Sequence, residues 1–344
     1  MMKFANSDAV IKPGHGSPVN ELSIYDAAEQ GVKSLSKNGY AVFRIGRLRL
    51  GHDESRDVAE QIMRALAASM IQSGAPGDLY VEVDLPQTTI MPNEAPTRNM
   101  LMHHDGQHSS YLTPSRELVE DWHEDERVFS ATGFTTTHTH KLYQGIFISD
   151  PGQGLSVTPH VDLVRVVLDA AARQGYIGVE SASRWYAANL RSAVDERPVH
   201  GSNYPTLAGM LGVGTTSLRG TPLIREEAPV ALEHRLLFPD LEPLIARCPC
   251  GQCMGETLRL FCHVVYQGLE LSAADFKAEY ETCLVSEQFD LLVTNNIGSM
   301  HAGREGGSSR VLHPFYLTVP RPGGDAYERW LHNTWISSAA VVLQ

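Results

Sequence analysis

The sequence has few cysteines, few basic residues and no long apolar run, and each shortage excludes a class of protein. Five cysteines among 344 residues are too sparse for a disulfide framework, which favours a cytoplasmic protein. The 28 Lys and Arg against 40 Asp and Glu give a net charge of −12. There is no basic stretch, so we expect no nucleic-acid partner. No apolar run reaches the length of about 20 residues that a membrane span needs, and residues 1–20 lack the layout of a signal peptide, so we expect no membrane partner.

The composition predicts a globular protein with a sizeable core. Apolar residues make up 42% of the chain and charged residues 20%, which is too apolar for a disordered chain. We find no internal repeat. We therefore predict a single domain over residues 1–344, with a flexible N-terminus over residues 1–20.

Hydrophobic periodicity predicts helices and strands in a clear order. Amphipathic helices are expected over residues 24–36 and 54–72, with strands over 40–45 and 79–85. From about residue 100, short apolar runs between Gly and Pro turns are typical of an all-β barrel or sandwich. These runs are 128–137, 143–149, 291–294 and 311–319. Three further helices are expected within the β-rich part, over 162–173 with Asp162 as its cap, over 181–195 and over 273–284.

The fifteen histidines include a pair pattern with metal-binding chemistry. His103 and Asp105 would point to the same side of a strand, and they supply two ligands of a 2-His-1-carboxylate Fe(II) site. His301 follows the buried run 291–294 and can supply the third. Arg310 opens the next strand, and its planar guanidinium can hold a carboxylate with two hydrogen bonds.

Three stretches, in this order, carry a family resemblance. The first is Met102-His-His-Asp-Gly106. The second is Asp150–Asp162, with a Gly-rich turn that ends in Thr158 just before a helix. The third is Asp290–Leu317, with a strand, a turn, a His and an Arg. The opening Asn38–Arg44 segment is also similar. Together they resemble the Fe(II)/2-oxoglutarate-dependent oxygenases of the taurine dioxygenase and clavaminate synthase-like superfamily.

The resemblance implies a mainly β fold with helical additions. Its core would be a double-stranded β-helix (jelly roll) with N-terminal helices, and residues of about 163–285 would form a helical insertion or lid. The implied cofactors are Fe(II), the co-substrate 2-oxoglutarate and O2. The implied reaction hydroxylates, desaturates or cyclises a small polar metabolite, such as an amino acid derivative or a natural-product intermediate. Succinate and CO2 would be the co-products.

The resemblance also assigns roles to individual residues. His103, Asp105 and His301 would be the catalytic metal ligands. Arg310 would bind the distal carboxylate of 2-oxoglutarate, and Thr158 would support it by a hydrogen bond.

Several positions depart from the family pattern or refine it. His301 and Arg310 are nine residues apart, which is shorter than in the family, so Arg304 is an alternative carboxylate ligand. Pro314 stands where sulfonate-oxidising members carry a second Arg, which argues against a taurine-type substrate. Asp105 is intact, which argues against halogenation.

Other polar residues leave alternatives open. Asn99, His108 and Arg304 are candidate substrate contacts. His138 and His140 share one strand face and could serve a cupin-like metalloenzyme that does not use 2-oxoglutarate. A non-catalytic binding protein with the same fold is the other alternative.

A cysteine cluster offers a second possible metal site. Cys248, Cys250 and Cys253 could bind zinc if Cys262 or His263 supplied the fourth ligand. The alternative is that these cysteines are small buried hydrophobic residues.

Overall fold

The computed structural model describes residues 3–4, 10–11, 21–89, 140–152, 156–178, 181–182, 185, 269–271, 273–296, 298–301, 310–319 and 330. The chain divides into two compact units. The first unit comprises Met1–Met100, Lys141–Val161 and Glu281–Val319. The second comprises Leu101–His140, Asp162–Tyr280 and Pro320–Gln344.

The first unit holds the strands and two long helices. Strands β6 and β7 each extend one residue into the second unit. In chain order the elements are β1 (Lys3–Phe4), β2 (Val10–Ile11), α1 (Glu21–Asn38), β3 (Tyr40–Phe43), a 3-10 turn (Ile45–Leu48), α2 (His52–Gln72), β4 (Tyr80–Val83), β5 (Gln87–Thr89), β6 (His140–Asp150), β7 (Ser156–Asp162), β8 (Glu281–Ser286), β9 (Leu291–Asn295), β10 (Ser299–His301) and β11 (Arg310–Val319).

The described strands form two sheets. One sheet has four strands in the order β1-β8-β7-β10. The other has seven strands, ordered β2-β3-β9-β6-β11-β4, with β5 also paired to β11. Strands β7 and β8 are antiparallel, with Thr158 opposite Leu284. From β8 to β11 the chain alternates between the sheets, so β10 and β11 belong to different sheets.

One part of the hydrophobic core lies where the two sheets meet. Tyr40 and Val42 of β3, Leu292 of β9 and Leu284 of β8 form one buried cluster. The first three belong to the seven-stranded sheet, and Leu284 belongs to the four-stranded sheet. Apolar burial of this kind is the main favourable term in packing one sheet on another.

The two long helices pack on each other and against the seven-stranded sheet. Helix α1 contacts β3, and α2 contacts β4 and β11. The buried face of α2 carries apolar side chains at four-residue steps, which confirms the predicted amphipathic pattern: Val58, Ile62, Leu66 and Met70. Helix α1 ends at Asn38, and Gly39 follows with a φ of 75°, a left-handed conformation that favours glycine.

The described part of the second unit contains helices α3 (Leu163–Arg173) and α4 (Ala273–Tyr280). Asp162 caps α3, because its Oδ1 accepts hydrogen bonds from the backbone N–H groups of Val164 at 2.9 Å and Arg165 at 3.4 Å. The predicted cap is therefore confirmed. The Tyr280 hydroxyl donates to the Asp169 carboxylate at 3.0 Å and joins α4 to α3.

Some predicted boundaries were wrong. The helix expected over 273–284 ends at Tyr280, and β8 begins at Glu281, because this segment pairs with both β7 and β1. The strand expected over 40–45 ends at Phe43. The run 128–137 and most of the helix expected over 181–195 lie outside the described residues. Two sheets with helices agree with a β-core bearing helical additions, while the jelly-roll winding stays a prediction. None of the described helices combines the length and the apolar character that crossing a membrane requires.

Candidate functional site

A buried arginine connects the two sheets. Arg310 is the first residue of β11 in the seven-stranded sheet, and it is only 3% exposed. Its Nη1 donates to the Ser156 hydroxyl at 3.4 Å and to the Thr158 hydroxyl at 3.3 Å. Both hydroxyls belong to β7 in the four-stranded sheet. The guanidinium group therefore lies in the interior between the sheets, beside two side-chain hydroxyls.

Strand alternation explains why these polar groups lie together. Ser156, Thr158 and His160 are two residues apart along β7, so they share one face of the strand. All three are at most 2% exposed. Buried polar side chains are normally hydrogen-bonded, and Arg310 supplies that partner for two of them.

An asparagine turn positions His301. Strand β9 ends at Asn295, whose Oδ1 accepts a hydrogen bond from Gly298 N at 3.0 Å. The Ser299 hydroxyl donates to the Asn295 carbonyl. This local bonding carries the chain from β9 into β10, which ends at His301 next to β7. His301 is buried.

His160 is a buried imidazole on the strand next to the one that carries His301. Burial lowers the pKa of His160 to about 3, and the nearby charge of His301 adds to the effect. A hydrogen bond to the Gly39 carbonyl acts in the opposite direction. The ring also meets Tyr40 edge-on at a centroid distance of 5.1 Å. The Nε2 atom of His160 is buried and has no hydrogen-bond partner among the described residues.

This set of groups suits two kinds of ligand. A buried guanidinium with adjacent hydroxyls is suited to a carboxylate, since low dielectric strengthens the attraction and the planar group can make two parallel hydrogen bonds. A neutral imidazole with a bare ring nitrogen is suited to a divalent metal ion. The buried guanidinium and hydroxyls therefore fit the dicarboxylic co-substrate that the resemblance implies, and toward the metal the described part of this site offers imidazoles.

The structure brings together some of the predicted site residues. Thr158 and Arg310 are in hydrogen-bond contact, and His301 lies on the strand next to Thr158. His140 is described only as the first residue of β6. The other predicted residues lie outside the described part of the chain: Asn99, His103, Asp105, His108, His138, Cys248, Cys250, Cys253, Cys262, His263 and Arg304. Within the described ranges, no three His, Cys, Asp or Glu side chains are grouped to hold a metal ion.

Two residues of the site were missed from the sequence. Ser156 was not predicted to contact Arg310, and His160 was not predicted to be a buried residue of the strand next to His301. We expected Thr158 in a turn, whereas it lies inside β7. A strand predicted over residues 156–160 would have placed Ser156 and His160 on the same face as Thr158.

Comparison with known proteins finds only distant likeness. No protein-family model matches the chain, and no curated protein matches it significantly. Solved structures of the non-heme iron oxygenase OrfP, alone, with Fe and L-Arg, and with Fe and L-homoarginine, share 12% sequence identity with it. The alignments cover 88% of this chain and 86% of OrfP, with TM-scores of 0.32 to 0.33. TM-scores this low do not establish a common fold.

Proposed function

We propose that the protein is a non-haem Fe(II)- and 2-oxoglutarate-dependent oxygenase that acts on a small polar metabolite. The observation that supports it most strongly is the buried contact of Arg310 with the Ser156 and Thr158 hydroxyls. A cation in that position, inside the protein and flanked by hydroxyls, has the chemistry that recognises a carboxylate. His301 on the neighbouring strand adds a metal-binding group to the same interior.

Each residue has a defined task in this proposal. Arg310 binds the distal carboxylate of 2-oxoglutarate, and the hydroxyls of Ser156 and Thr158 fix the guanidinium and add hydrogen bonds of their own. His301 binds the metal, together with His103 and Asp105. Bound iron and co-substrate supply oxidising chemistry toward a substrate C–H bond, with succinate and CO2 as co-products. The chain itself binds, orients and shields the reactants.

Burial determines how strongly the site selects its ligand. The attraction between a guanidinium and a carboxylate grows as water is excluded, and Arg310 is almost wholly excluded from solvent. Ser156 and Thr158 are equally buried. A neutral ligand would leave these groups without a carboxylate partner, so the site should discriminate strongly in favour of an anionic end group.

Binding of 2-oxoglutarate tests the proposal directly. The oxoglutarate is titrated into the anaerobic Fe(II) protein by calorimetry, and we expect saturable binding by the wild type. Arg310→Gln should abolish binding, and Thr158→Val should weaken it by about tenfold, as expected for one hydrogen bond to a charged group. Circular dichroism checks that each variant is folded.

A matched control distinguishes the effect of removing Arg310 from the effect of removing any positive charge. Lys141 packs on the Tyr316 ring at 3.7 Å and lies 3.8 Å from the Asp84 carboxylate, whereas Arg310 donates to the Ser156 and Thr158 hydroxyls. Lys141→Gln should bind 2-oxoglutarate as the wild type does. A wild-type protein that binds iron but no 2-oxoglutarate would contradict the proposal and favour a cupin-like enzyme.

A further inference from the structure

Ser286 is a buried serine at the end of β8, beside the proposed carboxylate site. In the pairing of β7 with β8 it lies opposite Ser156, whose hydroxyl accepts a hydrogen bond from Arg310. Residues directly opposite each other in an antiparallel pair project from the same face of the sheet, with their Cβ atoms about 5 Å apart. The Ser286 and Ser156 side chains therefore extend from the sheet next to each other.

The hydrophobic core shows which face of β8 this is. Leu284, two residues before Ser286, lies opposite Thr158 and belongs to the buried cluster that joins the two sheets. Because alternate residues of a strand share a face, the Ser286 side chain is directed into the same space between the sheets. This is the interior in which Arg310 donates to the Thr158 hydroxyl.

The hydroxyl groups in this interior have hydrogens to donate. Ser286 is 4% exposed, and its Oγ has no hydrogen-bond partner within the described part of the chain. A buried hydroxyl in this state costs stability and requires an explanation, such as a bound ligand. The Ser156 and Thr158 hydroxyls accept from Arg310, so each keeps its own hydrogen for donation to another group. Three O–H donors and a guanidinium group suit a ligand that only accepts hydrogen bonds.

We propose that the Ser286 hydroxyl donates a hydrogen bond to the carboxylate that Arg310 binds. The inference rests on the proposed function, in which this carboxylate is the distal one of 2-oxoglutarate. A carboxylate has about four lone-pair directions and no donor, so it can accept from several hydroxyls as well as from the guanidinium group. Ser286 adds a specificity-determining residue from β8 to a carboxylate site otherwise built from β7 and β11.

Stability and binding measured on the same variants test the inference. Ser286→Ala removes the hydroxyl, and a hydroxyl whose only partner is a ligand contributes nothing to the stability of the ligand-free fold. We therefore expect ligand-free Ser286→Ala to have the melting temperature of the wild type or a higher one. Its affinity for 2-oxoglutarate, measured by calorimetry on the anaerobic Fe(II) protein, should fall by at least about tenfold. Ser286→Cys, which keeps the size but has a weak donor, should also lose affinity.

Two comparisons separate carboxylate binding from a general effect of the substitution. Ser55→Ala is the matched control, because Ser55 is a buried serine of α2 whose Oγ also has no hydrogen-bond partner among the described residues. It should bind 2-oxoglutarate as the wild type does. 2-Oxovalerate has the same 2-oxo acid end but a methyl group in place of the distal carboxylate, so Ser286→Ala and the wild type should bind it equally.

The possible failures of the two proposals can be distinguished. Unchanged affinity of folded Ser286→Ala for 2-oxoglutarate, or an equal loss of affinity for both oxo acids, would overturn the inference while leaving the proposed function intact. A lower melting temperature of ligand-free Ser286→Ala with unchanged binding would make Ser286 a structural residue of the core. A wild type that binds iron but no 2-oxoglutarate would contradict the proposed function itself.

Discussion

Arg44 and Asp290 form a buried ion pair whose disruption should be costly. Arg44 follows β3, Asp290 precedes β9, and their side chains are in direct contact. The Arg44 side chain is 12% exposed and that of Asp290 is 2% exposed. Asp290 also accepts a hydrogen bond from Glu287 N at 2.7 Å, which fixes the connection between β8 and β9. We predict that Arg44→Met lowers the free energy of unfolding by about 3–5 kcal/mol at pH 8, because it leaves a buried carboxylate unpaired.

The cost should depend on pH in a defined direction. Burial raises the pKa of Asp290 from 3.8 to about 6, and Arg44 opposes this rise. Removing Arg44 therefore raises the pKa of Asp290 further. A carboxyl group whose pKa is raised by folding stays protonated to a higher pH in the folded state than in the unfolded state. Its contribution to the free energy of unfolding therefore becomes more unfavourable as pH rises. The difference in stability between wild type and Arg44→Met should be smaller at pH 5 than at pH 8 and should widen above pH 6.

Urea unfolding followed by circular dichroism measures both effects. Glu287→Gln is the control, because that carboxylate is 64% exposed and lies 3.8 Å from Arg44, so its loss should cost at most about 1 kcal/mol. Replacing both partners in Arg44→Met/Asp290→Leu should restore part of the lost stability. The reasoning is refuted if Arg44→Met loses less than about 1 kcal/mol at pH 8, or the same amount at pH 5 and pH 8.

Three further predictions concern a helix cap, a close contact and the carboxylate site. Burial raises the pKa of Asp162 from 3.8 to about 6, so its contribution makes the free energy of unfolding fall as pH rises between those two values. In urea unfolding, Asp162→Asn should reduce this dependence on pH. Asp162→Ala, which removes the cap, should cost about 1 kcal/mol. Gly31→Ala would place a methyl group 2.6 Å from the Phe43 ring and should cost about 1–3 kcal/mol in thermal unfolding, whereas Gly77→Ala meets nothing within 4 Å and should be nearly neutral. Ser156→Ala should weaken 2-oxoglutarate binding by about tenfold in calorimetry, and unchanged affinity would remove Ser156 from the site.

The parts of the fold predicted well are those set by neighbouring residues. The apolar spacing of α2 and the cap at Asp162 are local signals, and both are confirmed. The overextended helix at 273–284 shows the limit of such signals. Residues from Glu281 onward could form another helical turn, but they form a strand because they pair with β7 and β1. The periodicity of the segment itself carries no information about those two partner strands.

The candidate site was predictable only where one residue carries a distinctive chemistry. Arg310, Thr158 and His301 were predicted because an arginine, a hydroxyl and a histidine matched a family pattern. Ser156 and His160 can be assigned to the site only once β7 is known to be a strand of one sheet that contacts Arg310 in the other sheet. That contact joins residues more than 150 positions apart in the sequence.

Succinate formation tests the central claim most directly. Anaerobically purified protein receives Fe(II), 2-oxoglutarate and ascorbate, and air is then admitted, in parallel with Arg310→Gln and the Lys141→Gln control. We predict that the wild type and the control form succinate, even slowly without added substrate, and that Arg310→Gln does not. If the folded, iron-loaded wild type forms no succinate and binds no 2-oxoglutarate, the protein is not an oxygenase of this class.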